Sequence, residues 1–70
     1  MGANQKYSGR VHTKRQLGRA VEHIHATALV LTEIQNRYYE AAPIISKGCE
    51  QVVELLEMIE VLLVDMKGQL

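Results

Sequence analysis

The sequence has a single cysteine, a single proline, no tryptophan and no phenylalanine. One thiol excludes an intramolecular disulfide, and no Cys/His spacing resembles a structural zinc site. Three tyrosines are the whole aromatic content. The core is therefore aliphatic, which suits helix packing better than a sheet sandwich. Acids are absent from the first part of the chain, since no Asp or Glu precedes Glu22. No secretory signal pattern is visible, because the first apolar run comes late and behind polar residues. A membrane span is excluded as well: Glu54, Glu57, Glu60 and Asp65 interrupt the apolar stretch between Val52 and Met66. The expectation is a soluble, cytoplasmic protein with no membrane contact.

What the chain does have is a heptad pattern through its last third. Ile45, Cys49, Val52, Leu56, Ile59, Leu63 and Met66 alternate at spacings of four and three, which returns a helix to one face. Leu55 and Leu62 widen this apolar face on one flank and Val53 on the other. An earlier segment repeats the pattern with Leu17, Val21, Ile24, Ala28, Leu31 and Tyr38, Gln35 being its one polar position. A polar residue in such a seam sets register or partner number at some cost in stability.

Local signals divide the chain. Residues 1–12 hold two glycines, Asn4 and Ser8 with little apolar content, and read as a flexible basic arm. Thr13 followed by Gln16 matches a capping box and predicts a helix start there. Ala41-Ala42-Pro43 is a break, because proline disfavours helical geometry in the residue before it and suits the first turn of a new helix. Gly68, preceded by Lys67, reads as the residue just past a helix C-terminus. The spacing therefore predicts helix one over about 13–41 and helix two over about 43–68. A connection so short makes them antiparallel neighbours.

The fold expected is all-α, an antiparallel two-helix hairpin over residues 13–70. Seventy residues bury too little surface for a comfortable monomer. With disulfides and zinc excluded, self-association is the remaining remedy, and pairing two hairpins gives a dimeric four-helix bundle. The interface would use Val52, Leu55, Leu56, Ile59, Leu62, Leu63 and Met66. In length and architecture the chain resembles the plasmid copy-control hairpins of the Rop type, which dimerise and bind RNA through their helix faces. The resemblance carries over no residue and no activity.

Catalytic chemistry finds no support in the residue pattern. There is no Gly-rich phosphate loop, Walker motif or Ser-His-Asp order. Cys49 falls on the apolar seam, where it serves as a small packing residue rather than a nucleophile. Glu22 and His25 form the Glu-x-x-His pair that di-iron bundles use. Their stripe, shared with Gly18, Thr32 and Asn36, is the polar side of helix one, and Glu50, Glu54 and Glu57 lie off the second seam. Metal ligands must project into a bundle, so no metal or cofactor is expected. His23 and His25 diverge by about 200° on a helix and cannot chelate together.

Charge and aromatic placement suggest where a partner would sit. Lys6, Arg10, Lys14, Arg15 and Arg19 form a basic N-terminal region, whereas Glu50, Glu54, Glu57, Glu60 and Asp65 dominate helix two. The two helices could complement each other, or the basic region could grip an acidic protein surface or a nucleic acid. Arg37 and Tyr39 at the hairpin tip form a second candidate contact. The function expected is that of a small non-enzymatic binding protein. It would act as a regulator, adaptor or inhibitor, docking on a protein partner as a hairpin oligomer. The alternative is a Rop-like nucleic-acid-binding regulator that uses the basic N-terminal region.

Overall fold

The computed structural model describes residues 9–70 as two α-helices that pack against each other. The first, α1, spans Arg10–Arg37, and the second, α2, spans Pro43–Gly68. Residues 1–8, which include Lys6 and most of the expected flexible arm, lie outside the described residues.

Helix α1 starts three residues before Thr13. Gly9 takes the N-cap position, its carbonyl accepting the Thr13 N–H at 2.7 Å, and no side chain caps this end. The capping-box expectation is therefore corrected: Thr13 and Gln16 sit inside the helix. Arg10, Val11 and His12 include neither glycine nor proline, so nothing stops the hydrogen-bond ladder from running back to Gly9. Two threonines inside α1 satisfy their hydroxyls locally. Thr27 Oγ1 donates to the His23 carbonyl at 2.8 Å and Thr32 Oγ1 to the Ala28 carbonyl at 2.9 Å.

The reversal follows from Pro43. Ala42 has φ −146° and ψ 79°, outside the helical region that a following proline disfavours. Pro43 then occupies the first turn of α2, where its missing N–H costs no helical bond. Helix α1 ends at Arg37, four residues before the expected boundary. Tyr38 is its C-cap, and the Ala42 N–H closes the turn on the Tyr38 carbonyl at 3.0 Å. At the far end α2 runs through Gly68 with Gln69 as an ordinary right-handed C-cap. No glycine among the described residues has positive φ. The left-handed ending expected at Gly68 is thus not adopted. Gln69 N–H instead reaches the Asp65 and Met66 carbonyls at 3.2 and 3.1 Å.

Between the helices lies one narrow seam. Helix α1 contributes the half-buried Leu17, Val21, Ile24, Ala28, Leu31 and Gln35, the face its periodicity indicated, whereas Tyr38, the last position of that pattern, is the exposed C-cap. Helix α2 contributes Ser46, Cys49, Val53, Leu56, Glu60 and Leu63, again at alternating three and four. Cys49 and Ser46 are the buried residues, and no described side chain is sealed completely. The structure is a single layer of contact, not a closed core.

Two outcomes follow from this packing. Gly18 lies inside α1, and a Cβ there would meet only the flexible end of Lys67, its Nζ at 3.3 Å. Gly18→Ala should therefore raise stability by about 0.5–1 kcal/mol, the helix-propensity difference, as read from urea denaturation. Cys49 is covered by α1 itself. Its labelling by a thiol reagent should be slow in the native protein at every protein concentration and rapid in denaturant; fast native labelling would mean that the α1–α2 seam opens.

Candidate interaction surface

Each helix turns one stripe toward the other, which leaves the hairpin two open faces of different chemistry. The first carries a groove of about 330 Å³ lined by Ile24, His25, Ala28, Leu29 and Thr32 of α1 with Val53, Leu56, Glu57 and Glu60 of α2. His25 and Glu57, expected to point away from the helix junction, line this groove together. Both are exposed, as expected of the polar side, and border the groove because they sit one position off the contact stripe. Glu22, Glu50 and Glu54 are exposed. Among the described residues no group of three or more His, Cys, Asp or Glu is placed to hold a metal ion.

The opposite face is apolar. By helical spacing it carries Ile45, Val52, Ile59 and Met66 of α2, flanked by Leu55 and Leu62, and across the junction Ala20, Thr27 and Ile34 of α1. The six α2 side chains remain between 42% and 61% exposed. Written with Gly48 and Gln69, they form a second heptad seam, Ile45-Gly48-Val52-Leu55-Ile59-Leu62-Met66-Gln69, beside the one that meets α1. The seam inferred from sequence thus divides. Cys49, Leu56 and Leu63 face α1, whereas Ile45, Val52, Ile59 and Met66 face outward with Leu55 and Leu62. Of the seven interface candidates, Leu56 and Leu63 are half-buried inside the hairpin, and Val52, Leu55, Ile59, Leu62 and Met66 lie open. Sequence reasoning missed Ser46 and Glu60 as inward positions because their polarity hid the repeat.

The charged candidates segregate along the rod. Arg10, Lys14, Arg15 and Arg19 occupy the N-terminal turns of α1. The antiparallel packing adds Lys67, which reaches Gly18, to this open end. Lys14 is half-buried at the seam, while Arg10, Arg15 and Arg19 are exposed. Glu33, Glu40, Glu50, Glu54 and Glu57 belong to the half nearer the turn. The open end therefore has an excess of basic groups and the turn half an excess of acids, although Glu22, Glu60 and Asp65 fall on the open half and Arg37 and Lys47 on the turn half. Lys47 and Glu50 approach to 4.0 Å one turn apart on α2, a solvated contact that contributes little.

At the turn, Tyr39 is 70% exposed and borders an open groove of about 400 Å³ with Pro43, Ser46, Lys47 and Glu50. Arg37 ends α1 on the exposed surface. The two residues singled out at the tip are thus both accessible. Among the described residues no helix is long and apolar enough to cross a membrane. The chain matches no protein-family model, no curated protein and no solved structure.

Proposed function

We propose that this is a small non-enzymatic binding protein that works as a self-associated helical hairpin. Two hairpins join through the apolar face of α2 into a dimeric four-helix bundle. The bundle docks on a protein partner as a regulator, adaptor or inhibitor. The observation that carries the reading is the second heptad seam of α2, which the chain's own α1 leaves uncovered. A contiguous apolar stripe of this length is unusual on a monomer and marks an interaction site. Removing the still-exposed half of each of its large side chains from water contributes about 1 kcal/mol per side chain. The hairpin's single internal seam is a weak source of stability by itself, so association and folding reinforce each other.

For the partner, the exposed surface offers the basic open end and the tip formed by Arg37 and Tyr39. Basic groups of this kind steer association with an acidic protein surface and mainly raise its on-rate. A second reading, binding to nucleic acid, is favoured by one observation: Lys67 joins Arg10, Lys14, Arg15 and Arg19 at the same end of the rod. A dimer would carry two such clusters, each a source of a salt-dependent hold on a phosphate backbone.

Sedimentation tests the assembly. The wild-type protein should run as a dimer whose melting temperature rises with concentration. Leu55→Glu with Leu62→Glu, both outward, should give a monomer that melts lower. Leu56→Asp, facing α1, should by contrast lose helicity altogether. An unchanged dimer for the Leu55/Leu62 pair would refute the assignment of this face.

Arg15→Glu with Arg19→Glu tests the partner surface, because both side chains are exposed and the fold should be unaffected. Affinity for the native partner should fall. With a protein partner the loss should appear mostly as a slower on-rate. With nucleic acid, the slope of log affinity against log salt should shrink by about 0.7 to 0.9 per phosphate contact removed, and the purified wild type should carry nucleic acid that high salt strips away.

A further inference from the structure

We propose that the second copy docks with its α2 antiparallel to α2, so that the two turns lie at opposite ends of the assembly. The inference rests on the self-association reading and deepens it: it names which helix meets which and in what register. Two-fold pairing of the apolar faces allows two arrangements. With the turns at the same end, each α2 packs on the α1 of the other copy. With the turns at opposite ends, α2 packs on α2.

The composition of the open face separates them. Only α2 carries a full heptad seam there, from Ile45 to Met66, with its large side chains about half exposed. Helix α1 offers Ala20, Thr27 and Ile34 to the same face, with His23 and Val30 beside them. Packing α2 on α1 would set that seam against Ala20, His23, Thr27, Val30 and Ile34, a stripe of mixed polarity and smaller side chains. Packing α2 on α2 sets Val52, Leu55, Ile59 and Leu62 of each copy against one another at the centre of the contact, as knobs-into-holes packing requires, and leaves Gly48 and Gln69 for its ends. The small residues of α1 then let the two α1 helices approach closely on the other side.

The charges favour the same arrangement. With turns together, the ends bearing Arg10, Lys14, Arg15, Arg19 and Lys67 would stack like on like, and so would the halves bearing Glu50, Glu54 and Glu57. With turns opposed, the open half of each copy, where basic groups outnumber Glu22, Glu60 and Asp65, lies alongside the turn half of the other, where acids outnumber Arg37 and Lys47. The net charges of the two halves become complementary in the dimer.

Covering the whole stripe fixes the register. Leu55 then faces Ile59 of the second copy, Val52 faces its Leu62, and the small Gly48 faces its Met66. The two-fold axis passes level with Glu57. On the outer rim of this contact Met58 lies beside its own mate, and Gln51 beside Asp65 of the second copy. No like charges meet.

Single cysteines in a Cys49→Ala background read this register directly, using a short bifunctional thiol cross-linker. Met58→Cys should cross-link to itself in the dimer. Gln51→Cys alone should not, because its two copies are separated by about 18 Å along the axis, nor should Asp65→Cys, at about 24 Å. An equimolar mixture of the Gln51→Cys and Asp65→Cys proteins should cross-link as a heterodimer. All three positions are exposed on α2, so circular dichroism should be unchanged. Sedimentation of the same samples separates the two levels of the argument. A monomer would overturn self-association and the orientation with it. A dimer in which Met58→Cys fails to couple, or Gln51→Cys couples with itself, would overturn the antiparallel α2 pairing while leaving self-association standing.

Discussion

Everything in this molecule depends on a limit of helical geometry: one helix can cover only one stripe of its neighbour. Helix α2 is apolar over much more than one stripe, with Val53, Leu56 and Leu63 on the inward side and Val52, Leu55, Ile59, Leu62 and Met66 on the outward side. Helix α1 takes the first set and leaves the second in water. The inward contact is modest, closing around Cys49 and Ser46 near the turn and loosening along its length. A hairpin so constructed has its strongest unsatisfied interaction on its outside, and that imbalance is the basis of the proposed assembly.

The turn sets the second constraint. Pro43 keeps Ala42 out of the helical conformation and starts α2 at once, so the helices run antiparallel with little freedom in register. Antiparallel packing brings the basic start of α1 beside the end of α2, with Lys67 reaching Gly18. Glu50, Glu54 and Glu57 are carried toward the turn, while Asp65 stays at the open end. Charges that look complementary when the helices are compared as wholes are therefore only partly opposed within the hairpin.

Much of the fold was legible in the residues. The three-four spacing of Leu17, Val21, Ile24, Ala28 and Leu31 indicated the buried face of α1, because its flanking columns are polar enough to leave a single apolar stripe. The break at Pro43 was equally plain. The boundaries were less so. Thr13 looked like a cap, but capping signals compete with continued helix, and no breaker lies between Gly9 and Thr13. For the same reason Gly68, which needs positive φ only if the chain turns there, stayed helical.

The candidate surface was legible only in part. A helix that is apolar on two adjacent columns yields one broad signal, and the run from Ile45 to Met66 drew alternately from both. The sequence by itself determined that the chain is a hairpin and that α2 carries excess apolar surface, since both follow from spacing along a single helix. Which column faces α1 was decided by the tertiary structure. Packing chose the column with Ser46 and Glu60, polar residues that a periodicity search passes over, and turned the more apolar one outward. That choice concerns the rotation of one helix about its axis relative to another, and no spacing within one helix encodes it.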